Sequence, residues 1–304
     1  MRHISIGFCL CVFVTLTSTS VQAQSLPSLV EQLGIKELAR DYLRPAVDAV
    51  GYTINSALSH TAKIDSGLTL RLGGSFINTY IPEEQREFMA KLPAELTQLG
   101  FPGTITTATI AGGKGAVLRS SDPNVPQEIV LPDGADFSNV FFVMPQLSIG
   151  SVLGTELLFR GLPPVTYTTE LGKVSFYGIG IKHAPTYFAE LPFDLAFIAA
   201  YHQFQLGDMV DGTSMAGMAQ ISVDAEAVTI YGGLGYEAYQ INVGYEYVST
   251  DPLVPSGRID LDFRRRNLRF SLGAAMTLFD FVLVAADYSF GEQDNLSLTA
   301  ALQF

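Results

Sequence analysis

The chain has 304 residues, of which 48% are hydrophobic and 16% are charged, and its formal net charge is −12. This acidity argues against nucleic acid as a partner, because few cations are present to neutralise phosphates. Beyond Ala23 no run approaches the roughly 18 apolar residues of a membrane-spanning helix, which excludes a helical membrane protein.

The first residues have the layout of a secretory signal. Arg2 supplies the positive charge, an apolar stretch from Ile4 to Leu16 follows, and a run of small residues ends at Ala23. The apolar stretch is shorter than the roughly 20 residues that span hydrocarbon, so residues 1–23 predict cleavage rather than a membrane anchor. Both cysteines of the chain lie inside this stretch, so the mature protein would have no disulfide and no thiolate chemistry.

Residues 24–63 are predicted to form a helical segment ahead of the first strand. Between Leu26 and Leu58 the apolar residues follow helical spacing, with interruptions at a glycine and a proline. We interpret this segment as a plug or cap on the domain that follows it, residues 64–304.

Most of that domain alternates strictly between apolar and polar residues, the period of a β-strand with two different faces. The alternation is clearest at the end of the chain, where the apolar face consists of Leu296, Leu298, Ala300, Leu302 and Phe304. The same alternation occurs in 68–77, 140–150, 155–161, 173–183, 195–204, 215–223, 228–237, 239–247, 267–278 and 281–290. Residues 258–266 also alternate, either as a separate strand or as a strand extended beyond a bilayer.

These segments predict an all-β fold, a transmembrane antiparallel β-barrel of about 12 to 14 strands in the bacterial outer membrane. Many segments are about 9 to 12 residues long, which is the reach of a tilted membrane-crossing strand. Tyr and Phe cluster towards their ends, as in the aromatic girdles of membrane barrels. A soluble β-sandwich or soluble barrel is the alternative, and the absence of Trp counts in its favour.

The predicted partners follow from that fold. Outer-membrane lipid would surround the barrel. The final strand, with its terminal Phe304, resembles the tail by which outer-membrane barrels are recognised, and so predicts the barrel assembly machinery as a partner.

Residues 81–136 do not follow the strand pattern. They are rich in Pro, Gly and charge, and predict a long insertion in the barrel. Within it we expect a helix from Glu83 to Leu92. A hairpin between Thr104 and Arg119 would raise the strand number from 12 to 14.

Several short motifs carry a resemblance that spans nearly the whole chain after Ala23. They are Tyr42-Leu43-Arg44-Pro45, Thr61-Ala62-Lys63, Ile81-Pro82, Pro145 to Gly150, Gly154 to Leu157, Gly178 to His183, Leu191 to Asp194 and Tyr231 to Tyr236. With these motifs the chain resembles a family of uncharacterised outer-membrane proteins, broadly similar to the long-chain fatty-acid transporter class of barrels. The resemblance implies an outer-membrane barrel and, by analogy of fold, a hydrophobic ligand. The chain lacks the Asn-Pro-Ala run found in the plug of those transporters.

If the apolar faces contact lipid, the opposite faces line a lumen. The polar residues assigned to the lumen on this basis are Arg71, Glu156, Arg160, Asp194, His202, Asn242, Glu246, Arg269 and Asp287. Mixed charges inside a barrel indicate first a structural network that holds the N-terminal segment, and second a path for a substrate.

Apolar residues fall on the same inward faces, namely Leu158, Ile179, Ile181, Ile198, Phe204 and Tyr231. They are unexpected in a water-filled porin, whose lumen is polar. They predict packing against the N-terminal helix or, alternatively, a pocket for an apolar ligand.

Little in the sequence indicates catalysis or a bound ion. The histidines after Ala23 are His60, His183 and His202, and none stands in a recognisable Ser/His motif. Acidic pairs such as the carboxylates at 260 and 262 lack the ligand number of a Ca²⁺ site. We therefore expect no enzyme activity, no metal and no cofactor.

Arg264, Arg265 and Arg266 form a basic run with two interpretations. The run contacts lipid phosphates near the membrane surface, or it pairs with the acidic residues of its own strand.

The leading hypothesis is passage or binding of a hydrophobic small molecule at the outer membrane, based on the predicted plug and the inward apolar residues. The alternative is a structural or adhesive barrel that acts through residues 81–136. A lipid-hydrolysing barrel that uses His183 and His202 is the third hypothesis.

Overall fold

The computed structural model describes residues 36–125, 128–168, 172–189, 191–247 and 257–304. The predicted signal and the start of the predicted helical segment lie outside the described residues. No helix in the described part of the chain is long and apolar enough to cross a membrane.

In chain order, the described elements are helix α1 (Lys36–Ile54), β1 (Thr69–Tyr80), a 3₁₀ turn (Glu83–Gln85), β2 (Glu87–Lys91), helix α2 (Ala94–Gln98), β3 (Thr104–Ala108), β4 (Val117–Arg119), β5 (Glu128–Val130), β6 (Asn139–Val152), β7 (Thr155–Thr168), β8 (Gly172–His183), a 3₁₀ turn (Pro185–Phe188), β9 (Asp194–Leu206), β10 (Val210–Ala225), β11 (Val228–Tyr247), β12 (Gly257–Leu278), β13 (Val282–Phe290) and β14 (Asn295–Gln303).

Ten of these strands, β1 and β6 to β14, form one closed antiparallel barrel. β1 pairs with β14 on one side and with β6 on the other, and the remaining strands pair with their neighbours in chain order. Closure leaves no strand edge with free backbone groups, which is the condition for crossing a bilayer with strands. The predicted all-β barrel is confirmed, whereas the predicted number of about 12 to 14 strands is wrong.

The number is smaller because two pairs of predicted segments are each one long strand. Segments 228–237 and 239–247 form β11, and segments 258–266 and 267–278 form β12. The two strands pair without a break along the whole length of β11. The apolar residues change from one face to the other part-way along, and this change of face looks like the end of a strand in the sequence.

The two ends of the barrel differ. At one end β1 begins and β14 ends, and the connections from β10 to β11 and from β12 to β13 are tight turns. We call this the turn end. At the other end, the loop end, the insertion joins β1 to β6.

The outward faces of the strands carry an apolar band. Leu72, Leu234 and Leu268 are examples, each with more than half of its surface exposed. In β14, Leu298, Leu302 and the terminal Phe304 face outward as predicted. A soluble protein rarely exposes so much contiguous apolar surface, whereas a membrane barrel presents it to lipid.

The polarity of both faces of β12 changes between Arg266 and Leu268. On the outward face the charged residues at 258, 260, 262, 264 and 266 give way to Leu268, Phe270 and Leu272. On the inward face the order is opposite, since buried Ile259, Leu261 and Phe263 are followed by Arg269 and Ser271. This point is therefore the loop-side edge of the apolar band.

The insertion at the loop end is folded. β2 pairs with β3, β4 pairs with β5, and the two small sheets share an apolar core with Phe101 and Leu131. The predicted helix from Glu83 to Leu92 is wrong, because this segment is a 3₁₀ turn followed by β2. The predicted hairpin between Thr104 and Arg119 is also wrong, because its two halves pair with different strands.

Candidate functional site: the barrel interior and the segment it holds

Residues 36–63, which we call the inner segment, begin beneath the insertion. Leu38 of α1 belongs to the apolar core of the insertion. The Tyr42 hydroxyl donates to the carbonyl oxygen of Asp133 at 2.8 Å, and the Ile110 N–H donates to the carbonyl oxygen of Tyr42 at 2.9 Å. The first half of α1 and the insertion, residues 36–44 and 81–138, thus form one folded unit, the loop-end lobe.

The second half of α1 packs against the inward faces of β11 and β12. The rings of Tyr52 and Tyr239 meet edge to face, with centroids 5.7 Å apart. A Cβ atom on Gly51 would come within 2.5 Å of the Tyr239 ring, so the helix approaches the wall this closely only because residue 51 is glycine. The apolar residues around this contact are Ala39, Leu43, Ile241, Ile259, Leu261 and Phe263.

A carboxyl group of α1 is buried in the same contact. The Tyr239 hydroxyl donates to Asp48, and Nε of Arg265 lies 3.4 Å from the other carboxylate oxygen. Burial raises the pKa of Asp48 above its ordinary value, although the Tyr239 hydroxyl and the Arg265 charge act in the opposite direction. The folded protein therefore favours the protonated form of Asp48 more than the unfolded chain does.

Two buried arginines from different strands hold the end of α1. Arg160 of β7 donates to the carbonyl oxygens of Ile54 at 3.1 Å and Ser56 at 2.8 Å. Arg269 of β12 donates to the carbonyl oxygen of Tyr52 at 3.1 Å and forms an ion pair with Glu237. The last carbonyls of a helix lack helical partners and carry partial negative charge, so both guanidinium groups complete this helix end.

Beyond the helix, polar side chains of the wall bind the backbone and side chains of residues 55–62. Ser214 donates to the Asn55 side-chain oxygen at 2.7 Å, and His202 lies 3.3 Å from the same oxygen. The other contacts of this kind are Gln146 to the Leu58 carbonyl, Gln220 to the Ser59 carbonyl, and the Ala62 N–H to Ser222. Residues 55–62 are thus bound by wall residues of several different strands.

An ion cluster lies near the turn end. Glu156 is within 3.3 Å of Arg71 and 3.6 Å of Lys182, which is completely buried. Lys182 also donates to the carbonyl oxygen of Lys63 at 3.0 Å. Lys63 itself reaches Asp224 at the end of β10, and the hydrogen bond from Lys63 to this carboxylate raises the pKa of Lys63.

A second buried cluster consists of His60, Tyr231 and Asp287. The Tyr231 hydroxyl lies 3.3 Å from a ring nitrogen of His60 and 3.4 Å from the Asp287 carboxylate. A cavity of about 20 Å³ beside His60 is also lined by Arg71 and Ser75. Such a cavity has room for about one water molecule and not for an organic ligand.

A family model matches residues 1–304, which is the whole chain, and describes DUF6588, a family of unknown function. The chain belongs to this family. No curated protein matches this DUF6588 member.

Solved structures similar to this DUF6588 barrel are outer-membrane proteins. The attachment invasion locus protein Ail of Yersinia pestis is 9% identical, with a TM-score of 0.28 over 78% of this chain and 97% of Ail. The translocator domain of the autotransporter NalP from Neisseria meningitidis is 13% identical, with a TM-score of 0.35 over 88% of this chain and 99% of that domain. The toluene transporter TbuX of Ralstonia pickettii is 9% identical, with a TM-score of 0.27 over 83% of this chain and 93% of TbuX. At such low identities and TM-scores these similarities carry no argument about function.

The structure places most of the residues assigned to the lumen inside the DUF6588 barrel. Buried or partly buried on inward faces are Arg71, Glu156, Leu158, Arg160, Ile198, His202, Phe204, Tyr231, Arg269 and Asp287. Asp194 is half-buried at the start of β9. The side chain of Glu246 lies outside the described part of the chain.

The assignment of Ile179 and Ile181 to the lumen is wrong. Both face outward on β8, with 54% and 46% of their surface exposed. The inward positions beside them are glycines, and a Cβ on Gly178 would come within 2.1 Å of the His202 ring. The glycines are therefore inside because neighbouring side chains fill the space, and the isoleucines are part of the outward apolar band.

Asn242 is also on the outward face, where it donates to Asp211 of the neighbouring strand. Its assignment to the lumen is wrong for the same reason that β11 was divided in two, namely that the apolar face turns inward near the loop end. Tyr239 and Ile241, expected on the lipid face, are buried inside.

Sequence reasoning missed Lys182 and Glu237 as interior residues, and it did not assign His60 to a cluster. The position of Lys182 could have been predicted from the alternation of its strand. If Ile179 and Ile181 are assigned to the outward face, Lys182 falls on the inward face. The cluster around His60 could not have been predicted, because Tyr231 and Asp287 lie far from His60 in the sequence.

Proposed function

We propose that this protein is a bacterial outer-membrane barrel whose pore is closed by the inner segment, and that it has a structural or adhesive role carried by the loop-end lobe. The observation that supports a closed pore is the binding of residues 36–63 along the barrel. Contacts extend from the Tyr52 and Tyr239 rings near the loop end to the Ala62 N–H and Ser222 near the turn end.

The proposed orientation places the loop end outside the cell. Outer-membrane barrels have short periplasmic turns and longer extracellular loops, and here the folded insertion is at the loop end. In this proposal the signal is removed after Ala23, and the strand that ends at Phe304 is the one recognised by the barrel assembly machinery.

The inward apolar residues support packing against the inner segment rather than an apolar ligand pocket. Leu158 and Ile198 form a cluster with Leu58 of the inner segment, and Phe204 packs against the clusters that contain Tyr52 and Ile54. The feature of the sequence that suggested an apolar ligand is thus accounted for by contacts within the chain.

Passage of a hydrophobic small molecule is the second candidate function, and a different observation favours it. After Ile54 the inner segment is not helical, and polar side chains of the wall bind it at several points. Among the described residues, buried oxygens of Gln220, Asn295 and Ser297 have no hydrogen-bond partner. Water can replace polar contacts of this kind, so displacement of the segment would open a path.

Disulfide locking distinguishes the two functions. The side-chain oxygens of Thr53 and Thr79 are 2.7 Å apart, so cysteines at these positions can tie α1 to β1. The matched control ties two wall strands together through Ser75 and Thr299, whose oxygens are 2.6 Å apart. The two signal cysteines are replaced by serine in all variants.

Uptake of a fluorescent fatty acid is then measured in cells under oxidising and reducing conditions. A closed structural barrel predicts the same uptake from both variants in either condition. Uptake that requires reduction in the Thr53–Thr79 variant, but not in the wall control, would establish passage and refute a permanently closed pore.

Replacement of residues 84–134 by a short Gly/Ser linker tests the lobe. We expect attachment of cells to surfaces or to other cells to fall while the amount of folded barrel is unchanged. Equal attachment with and without the lobe would contradict the structural or adhesive role.

A further inference from the structure

Two arginines lie on the outward wall at the loop-side edge of the apolar band. Arg266 is two residues from Leu268, the first exposed apolar residue of β12, and Arg264 is two residues further towards the loop end. In the register with β11, Arg266 lies opposite Ala238 and Arg264 lies opposite Gln240. Both guanidinium groups are thus held where hydrocarbon gives way to headgroups.

A groove of about 610 Å³ runs beside these arginines across β9 to β12. The outward-facing residues that line the groove are apolar on one side and polar on the other, like the boundary between hydrocarbon and headgroups. Tyr201, Met215 and Ala238 are on the apolar side, and Thr213 and Gln240 are on the polar side together with the arginines.

The cations around the groove differ in their pairing with the carboxylates that the structure describes. Arg264 forms an ion pair with Asp262 at 2.9 Å, and Arg258, further towards the loop end, pairs with Asp260. Arg266 has no ion pair or side-chain hydrogen bond with any residue that the structure describes. Within the described part of the chain, Arg266 is therefore an exposed cation with no carboxylate partner, at the edge of the apolar band.

We propose that this groove binds an anionic phospholipid or phosphorylated glycolipid of the surrounding leaflet. The phosphate lies against Arg266 and Arg264, whose planar guanidinium groups match phosphate oxygens in pairs. The acyl chain lies along Tyr201 and Met215. A free phosphate ion would use only the polar half of the groove, so the lipid is the ligand that fits both halves.

Native mass spectrometry of the full chain in detergent tests this site. The probes are lipid A with two phosphates, zwitterionic phosphatidylethanolamine and inorganic phosphate. The double variant Arg264→Gln with Arg266→Gln is compared with Arg258→Gln, which removes an exposed cation of the same strand away from the groove. Heat-dependent migration on gels establishes that each variant is folded.

We expect lipid A to bind wild type more tightly than phosphatidylethanolamine does, and the double variant to lose roughly 10- to 30-fold in affinity for lipid A. Arg258→Gln should bind lipid A like wild type. Equal binding of lipid A by wild type and the double variant would overturn the proposal. So would an equal loss in Arg258→Gln, or displacement of lipid A by millimolar inorganic phosphate.

Discussion

The Nη2 atom of Arg160 lies 2.8 Å from the carbonyl oxygen of Ser56, and this contact joins the wall strand β7 to the end of α1. Arg160 is buried, with 4% of its surface exposed, and the carbonyls of the helix end have no other donor within the helix. The wall residue and the helix end therefore depend on each other for hydrogen bonding.

Replacement of Arg160 by Met should weaken the hold on the inner segment. Loss of the guanidinium leaves buried carbonyl oxygens unpaired, each at a cost of roughly 1 to 3 kcal/mol, so we expect a clear fall in the free energy of unfolding. Urea unfolding in lipid vesicles measures it. The control is Arg119→Met in the exposed Arg119–Glu128 pair, which should change stability by less than about 0.5 kcal/mol. Equal effects would refute the structural role of Arg160.

Gly51 should tolerate no side chain while Tyr239 is present. Gly51→Ala would force the helix and the Tyr239 ring apart, at a cost of roughly 1 to 3 kcal/mol in the free energy of unfolding. In a Tyr239→Ala background the same substitution should cost much less. Gly113→Ala is the control, because a Cβ atom there has open space around it. Additive effects of the substitutions at 51 and 239 would contradict the close approach.

The raised pKa of Asp48 predicts a pH dependence of stability. Because the folded protein holds the Asp48 proton more tightly than the unfolded chain, the contribution of Asp48 to stability falls as pH rises from about 4 towards 7. The stability of wild type relative to Asp48→Asn should therefore be lower at pH 7 than at pH 4. Asp41→Asn, which removes a carboxylate from an exposed ion pair of the same helix, is measured alongside as the matched variant. A difference that grows with pH would mean that the Arg265 charge outweighs burial.

The path of the inner segment predicts where its start is exposed. An epitope inserted immediately before Lys36 should be accessible to antibody on intact cells, since α1 begins in the loop-end lobe. An epitope at Glu226, in the turn between β10 and β11, should be accessible only after the outer membrane is permeabilised. Labelling of the Glu226 epitope on intact cells would reverse the proposed orientation.

The outward direction of Ile179 predicts sensitivity to charge. Ile179→Arg places a cation against lipid and should cost up to about 2 to 4 kcal/mol in the free energy of unfolding in vesicles. Gln203→Arg is the control and should cost less, because this outward residue pairs across the strands with Tyr177 at the polar edge of the band. Equal costs for the two substitutions would contradict the lipid-facing position of Ile179.

The strand period and the outward face of β14 could be predicted from the sequence. In β14 every second residue is apolar and faces outward along the whole strand, so the polarity of a residue predicts the side of the strand on which it lies. The outward face can be recognised from the polarity of each residue alone, without knowing which strand pairs with β14.

The number of strands and the contents of the barrel could not be predicted in this way. Leu268 faces outward in the apolar band, whereas Ile259 on the same strand packs against α1, so apolar residues occur on both sides of the wall. Only the pairing of β11 with β12 shows that the change of face occurs within one strand.

The sequence by itself determined that the chain is built of strands with one apolar and one polar face, because alternation is a local consequence of the two sides of a strand. The tertiary structure decided what lies inside. Arg160, Arg269 and Lys182 each donate to backbone carbonyl oxygens of the inner segment, and no side-chain pattern in the sequence records where those carbonyls lie.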